Sequence, residues 1–244
     1  MNARLEATQP EVTTVSAEQA IGQIAVQLPG ATAIFRRLKL DFCCGGHLSL
    51  RQATDDKNLD LGSVLAELSA LQRTDMPPSA TEPAALIDHI LTRYHAVHRE
   101  QLPELIRMAR RVELVHRDNS QVPAGLAETL ETMEQELLSH MEKEEQILFP
   151  MMKSGGNPFV AQPINMMRAE HAGHGSMLEK VLTLTNDATP PLGACNTWRA
   201  LYAGIAQLND DLTNHIHLEN NMLFPQFEVP PAAQGCGSSG CGCK

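Results

Sequence analysis

The chain has 244 residues, a formal net charge of −10 and 43% hydrophobic residues, which is enough for one large domain or two modest ones. This acidity and the lack of a basic face argue against nucleic-acid binding. The N-terminus has no apolar stretch typical of a secretion signal, and no apolar run approaches the ~18 residues of a membrane span, so we expect a cytoplasmic protein without a membrane partner.

The N-terminal part of the chain predicts a small helical module. Residues 1–15 are expected to form a flexible lead, and residues 16–73 the module. Ser16 and Gln19 fit a capping box, which predicts a helix that begins at residue 17. The four predicted helices cover residues 17–28, residues 31–38, a stretch capped by Ser49, and a stretch from residue 60 or 61 to 72.

Four long helical patterns follow a linker rich in Pro, Ser and Thr at residues 74–83. Pro103 should bend or split the first of them. Short connections make neighbouring helices antiparallel, so the predicted fold is all-α: an up-down-up-down four-helix bundle over residues 84–228, behind the N-terminal module. The four patterns cover residues 83–117, 123–153, 163–186 and 195–224.

One motif occurs twice in the bundle. The pattern H-x-x-x-E-x-x-x-L-F-P runs from His140 to Pro150 and again from His215 to Pro225. A histidine and a glutamate four residues apart lie about 40° apart around a helix, on one face. A single copy could be a solvated polar face, but two copies predict two equivalent half-sites that face each other and bind a pair of metal ions.

Histidine pairs complete each half of this repeat. His95 and His98 precede the first motif, and His171 and His174 precede the second. The separation between the two pairs is almost the same as that between the two motifs. The spacing leaves open which member of each pair binds metal and which lies beside the ligands.

The donor set predicts the type of metal. Four histidines and two glutamates suit a pair of iron ions better than a closed structural zinc site, because carboxylates can bridge two cations. Glu136 and Asp211 lie four residues before His140 and His215, where they could accept hydrogen bonds from the ligating imidazoles.

The cysteines offer a second kind of chemistry. Cys43 and Cys44 lie in a Gly-rich turn before a predicted helix, and a thiol at a helix N-terminus is readily ionised. This predicts a nucleophile or a ligand for metal transfer; the alternative is two small buried apolar residues. Residues 229–244 are expected to form a flexible Gly-rich tail, and whether its three thiols, Cys236, Cys241 and Cys243, bind metal is left open.

These motifs resemble those of a known family. The bundle resembles a hemerythrin-like domain, and residues 16–228 resemble the repair-of-iron-centres family (ScdA/YtfE-type). The resemblance rests on residues 41–46, 88–104, 139–150, 170–171 and 215–225. It implies a non-haem di-iron centre of two iron ions, bridged by an oxo group and by the carboxylates of Glu144 and Glu219. The implied histidine ligands are His95, His140, His171 and His215. The resemblance thus selects the first member of each histidine pair as the metal ligand.

The resemblance also implies a function. We expect a protein that repairs iron–sulfur clusters damaged by nitrosative or oxidative stress by supplying iron, with the damaged iron–sulfur proteins as clients. The alternatives are a protein that binds nitric oxide and lowers its free concentration, or one that reduces nitric oxide at the two irons. The Cys43–Cys44 turn favours the first. No residue is assigned a catalytic role, so a metal-binding protein is favoured over a conventional enzyme, and a homodimer is left open.

Overall fold

The computed structural model describes residues 15–28, 30–71 and 82–228, and every helix or strand element within these ranges is helical. The all-α fold class is confirmed. The predicted tail, all of the predicted lead except Val15, and most of the predicted linker lie outside the described residues. Within the described part of the chain, no helix combines the length and the apolar character needed to cross a membrane.

The N-terminal module consists of four short helices: α1 (Ile21–Gln27), α2 (Ala31–Arg37), α3 (Leu50–Asp56) and α4 (Leu61–Ala70). They enclose a core that includes Ile24, Phe35 and Phe42. The predicted cap of α3 is confirmed: the Ser49 hydroxyl accepts from the Gln52 amide at 3.2 Å, and the Gln52 side chain accepts from the Ser49 amide at 3.1 Å. This reciprocal pair satisfies two amides at the start of the helix.

The capping box predicted at Ser16 is wrong. Helix α1 begins at Ile21, and its N-cap residue Ala20 makes no side-chain hydrogen bond. The segment before α1 pairs instead with the start of α3, where the amide of Leu50 donates to the carbonyl of Gln19 at 2.9 Å. The backbone at Ala20 is extended, with φ −64° and ψ 133°, so the residues before α1 do not continue its helix.

Four long helical runs form the bundle, in agreement with the four predicted patterns. The first comprises α5 (Pro83–Ile90), a π-helical turn (Leu91–His95) and α6 (Ala96–Val115). The second comprises α7 (Leu126–Lys143), a π-helical turn (Glu144–Leu148) and α8 (Phe149–Lys153). The third is α9 (Ala161–Leu184), and the fourth comprises α10 (Asn196–Leu218), a π-helical turn (Glu219–Leu223) and a 3₁₀ turn (Phe224–Gln226). Helix α6 packs on α7 and α10, and α9 packs on the same two helices, as in an up-down-up-down bundle.

The π-helical turns were not predicted by the sequence spacing. In both copies of the repeated motif, the amide of the Phe donates to the carbonyl of the Glu five residues earlier: Phe149 to Glu144, and Phe224 to Glu219. Such turns occur often at functional sites. Helix α6, by contrast, runs unbroken through Pro103, which is exposed and lacks the amide that would donate to the carbonyl of Arg99.

Two apolar cores divide the bundle along its axis. The upper core includes Ile90, Phe149 and Phe224, and the lower core includes Leu102, Leu130 and Trp198. On each of the four runs, the predicted metal ligands lie between residues of the upper core and residues of the lower core. The site is therefore enclosed by apolar layers at both ends.

The N-terminal module packs closely against the last turns of the bundle. Asn221 donates from Nδ2 to the carbonyl of Phe42 at 3.2 Å, and Arg36 pairs with Asp210 at 3.0 Å. A Cβ atom on Gly22 would lie 2.5 Å from Oδ1 of Asn221 and 2.9 Å from the carbonyl of Gly46. Only glycine at residue 22 allows this approach.

Replacement of Gly22 by alanine should therefore separate the module from the bundle. We expect Gly22→Ala to lower the free energy of unfolding by about 1–3 kcal/mol, the usual cost of overpacking. Denaturant unfolding measures this. Gly62→Ala is the control: Gly62 is exposed on α4, and its added Cβ meets only Asp60 at 3.4 Å, so helix propensity should raise stability by up to about 1 kcal/mol. Equal effects at the two positions would contradict the close packing.

Candidate metal centre

Six residues from all four helical runs meet in the buried middle of the bundle. They form two groups, and within each group the potential ligand atoms all lie within 4.8 Å of one another. Both groups contain Glu144 and Glu219, and each adds two histidines. The first group adds His95 and His215, and the second adds His140 and His171. All six are at most 1% exposed.

Each carboxylate reaches one histidine of each group. Oε2 of Glu144 lies 3.4 Å from Nε2 of His95 and 3.5 Å from Nε2 of His140. The two oxygens of Glu219 lie 3.0 Å from Nε2 of His171 and 3.0 Å from Nε2 of His215. A carboxylate that spans two donor groups is placed to bridge two cations.

Hydrogen bonds at Nδ1 orient three of the imidazoles. Nδ1 of His95 donates to Glu145 at 2.7 Å, that of His140 to Glu170 at 2.9 Å, and that of His171 to Oδ1 of Asn220 at 2.9 Å. In a neutral imidazole whose Nδ1 carries the proton, Nε2 presents a lone pair. These partners therefore hold Nε2 in the form that binds a metal ion.

The imidazole nitrogens approach one another in pairs. Nε2 of His95 lies 3.2 Å from Nε2 of His215, and Nε2 of His140 lies 3.0 Å from Nε2 of His171. In the His140–His171 pair, both Nδ1 atoms are already donors, so two lone pairs face each other. Burial lowers the pKa of His140, which keeps it neutral. A cation bound to both nitrogens would relieve this repulsion.

The two buried carboxylates also fit a cationic group. Burial, followed by the charge of Glu219, raises the pKa of Glu144 well above its usual value. Burial acts in the same direction on Glu219, but His215 and His171 hold its pKa well below the usual value. Both oxygens of Glu144 and Oε2 of Glu219 lack a hydrogen-bond donor among the described residues. Buried carboxylates are normally paired, hydrogen-bonded or coordinated to a metal ion, so these oxygens suit metal binding.

Glu136 does not have the orienting role that the sequence predicted for it. Its side chain is exposed on α7, and Glu170 from α9 occupies the Nδ1 position of His140 while also pairing with Lys143. Asp211 is buried, but it pairs with Arg93 across the bundle. Nδ1 of His215 has no partner in the described part of the chain. A four-residue spacing cannot show which helix supplies the acceptor, because the partner comes from a neighbouring helix.

The sequence pattern missed three of these orienting residues: Glu145, Glu170 and Asn220. Two of them directly follow the glutamates predicted to bind metal, Glu145 after Glu144 and Asn220 after Glu219, so the repeat itself could have indicated them. Glu170 directly precedes His171.

His98 and His174, the second members of the two histidine pairs, line the same pocket. Their rings lie 5.4 Å from the ring of His215 and 4.9 Å from that of His140, respectively, and each is at most 3% exposed. Burial lowers the pKa of His98 to about 2 and that of His174 to about 4, so both are neutral. Neither nitrogen of His98 has a hydrogen-bond partner in the described structure, and Nδ1 of His174 has none.

The Cys43–Cys44 turn forms a separate polar group with Asp41. The thiol of Cys43 lies 3.8 Å from the sulfur of Cys44 and 3.1 Å from a carboxylate oxygen of Asp41. A hydrogen bond from Cys43 is the largest cause that lowers the pKa of Cys44, and the same bond raises that of Cys43. Because helix α3 begins only at Leu50, the neighbouring thiol takes the role that the sequence assigned to a helix N-terminus.

One side chain connects this turn to the metal centre. Asn220 accepts from Nδ1 of His171 through Oδ1 and donates from Nδ2 to the carbonyl of Cys43 at 3.1 Å. Nδ2 of the Asn221 side chain donates to the same carbonyl at 3.2 Å. A change in the position of the turn would therefore act directly on a hydrogen bond to His171.

Known proteins share both parts of the chain. Residues 86–227 match the family model described as the hemerythrin HHE cation binding domain, and residues 17–72 match the ScdA N-terminal model, described as a domain of unknown function (DUF542). The chain is 50% identical over 211 residues to the iron-sulfur cluster repair protein YtfE of Cronobacter sakazakii. It is 47% identical over 215 residues to a probable iron-sulfur cluster repair protein of Haemophilus influenzae. These alignments cover 86% of this chain and 96% of each relative.

Two substitutions test whether Glu170, and not the predicted Glu136, is the partner of His140. We expect Glu170→Ala to weaken metal binding by about 10–100-fold, the usual loss when the partner of a ligating histidine is removed. Glu136→Ala should leave the affinity unchanged, because Glu136 is exposed. Titration of the two variants with Fe(II) under anaerobic conditions measures the difference. The reverse order would show that the acceptor comes from α7.

Proposed function

The chain belongs to the family of iron-sulfur cluster repair proteins of the YtfE type, and on that premise we propose that it binds two iron ions and supplies iron to iron–sulfur clusters damaged by nitrosative or oxidative stress. The observation that supports this proposal is the pair of buried His₂Glu₂ groups that share both carboxylates. Its clients would be proteins whose clusters have lost iron.

The proposed ligands are the six residues of the two groups, with Glu144 and Glu219 as bridges. Imidazole binds iron well, carboxylate oxygen favours hard cations, and a shared carboxylate reduces the repulsion between two ions. The bound irons would serve as the cargo of the repair reaction. Glu145, Glu170 and Asn220 orient three of the histidines through Nδ1, and the two apolar cores exclude water from both ends of the site.

The thiols are proposed to act between the bundle and the client. Thiolate is the form of cysteine that binds metals, and the hydrogen bond from Cys43 favours this form at Cys44. Both cysteines are partly exposed, unlike the metal ligands. The turn is therefore suited to accept iron that leaves the buried site, with Asn220 as the contact between them.

A second candidate function is the capture or reduction of nitric oxide. Each group provides only four protein donors, so an iron ion bound there would keep open positions for a small ligand. In this case the protein lowers the concentration of free nitric oxide, or converts it, and the cysteines are dispensable.

Removal of the bridging carboxylates should abolish the iron-dependent function. We expect Glu144→Leu and Glu219→Leu to lose bound iron and the ability to restore activity to an iron-depleted cluster enzyme, because the bridges between the two groups are gone. Elemental analysis and the recovered client activity measure the two effects.

The matched control is Glu142→Leu, since Glu142 is exposed on the same helix two residues away. It should retain both iron and repair. Full repair by the Glu144→Leu and Glu219→Leu variants would contradict the proposal.

Substitution of the thiols separates the two candidate functions. We expect the double variant Cys43→Ser, Cys44→Ser to keep its iron and to lose transfer to the client, because the bundle ligands are intact and the thiolate is absent. Nitric oxide titration followed by EPR should give the same signal as the wild type. Normal iron transfer by this variant would contradict the proposed role of the thiols in transfer.

A further inference from the structure

We propose that His98 and His174 form a hydrogen-bonding site for a small anion or polar gas molecule bound at the metal centre. Both are ligand-positioning residues in this proposal, not metal ligands. The inference rests on the proposed di-iron function, because the small molecule would share its site with the two irons.

The positions of these residues along the helices place them on one side of the centre. His98 lies on α6 three residues after His95, and His174 lies three residues after His171 on α9. Each is therefore about 4.5 Å further along its helical run, toward the lower core. Both helices run in the same direction, from the upper core to the lower core. The two imidazoles therefore approach the centre from the same end.

The bridging carboxylates approach from the opposite end. Glu144 follows His140 on a run that leads toward the upper core, and Glu219 follows His215 in the same way. The carboxylates therefore occupy the upper side of the site. The lower side, where the protein provides no bridging oxygen, is the side that His98 and His174 line.

The hydrogen-bonding state of the two imidazoles indicates a missing partner. Both nitrogens of His98 and Nδ1 of His174 are buried and unpaired in the described structure, which is costly for polar atoms. A neutral imidazole carries one N–H donor. Two such donors, each beside a histidine of a different metal group, suit a hydrogen-bond acceptor located between them and the metals.

Azide is a suitable probe, because it is a small anion that accepts hydrogen bonds and gives a visible charge-transfer band with ferric iron. We expect the iron-loaded wild type to bind azide, and His98→Leu and His174→Leu each to raise the Kd by about 10–100-fold, the usual effect of removing a hydrogen bond to a charged group. The iron content should not change. The azide stretching frequency should shift in D₂O in the wild type, and this shift should be reduced in both variants.

Two further variants make the test specific. His98→Asn retains an N–H donor, so it should recover part of the affinity lost in His98→Leu and serves if the leucine variant fails to fold. His116→Leu removes a histidine at the far end of α6, about 27 Å along the helix from His98, and should bind azide like the wild type. Unchanged azide affinity in the His98 and His174 variants would overturn the inference, and so would a loss of iron equal to that of Glu144→Leu.

Iron binding by the wild type tests the proposed function, and azide binding by the variants tests the hydrogen-bonding site. A wild type that binds no iron contradicts the di-iron proposal, and the azide titration is then carried out on the cobalt(II)-loaded protein. Weaker azide binding by the variants in that form supports the hydrogen-bonding site. Failure to bind either metal overturns both proposals.

Discussion

Two carboxylates share one buried pocket, and the positions of the histidines and of the apolar cores around them depend on this burial of two acidic groups. Glu144 and Glu219 are fully buried, and burial and mutual repulsion raise the pKa of Glu144. Four imidazole Nε2 atoms face the same space at separations of 3.0–3.2 Å within each pair. Both oxygens of Glu144 and Oε2 of Glu219 have no hydrogen-bond donor among the described residues, and metal bound in the pocket would satisfy them.

The neighbouring structure is organised around this pocket. Apolar cores lie above and below it. Two of the π-helical turns begin at Glu144 and Glu219, and the third ends at His95. The three partners at Nδ1 come from outside the pocket and determine the tautomer of three of the histidines. The same four helical runs therefore supply the apolar cores, the donors and the residues that orient them.

The N-terminal module gives the site a contact with the surface. Asn220 joins the Nδ1 atom of His171 to the carbonyl of Cys43, while the corresponding residue in the other half, Glu145, bonds His95 and Arg99. At this position of the internal repeat, an amide replaces a carboxylate. An amide can donate and accept at once, so it can contact the module and the histidine together.

The sequence alone determined the all-α fold and the four helical runs, because each long run has an apolar periodicity. The doubled motif indicated His140, Glu144, His215 and Glu219, because its spacing is that of a helix face. The spacing left open which member of each histidine pair binds metal, and the choice of His95 and His171 came from the family resemblance. It did not determine which acceptor orients each histidine. Glu136 has the right spacing and is exposed, whereas Glu170 comes from another helix. Nor did it predict the π-helical turns or the contact of Asn220 with the cysteine turn. These features depend on how the helices pack side by side, and a pattern within one helix contains no information about the distance to its neighbour.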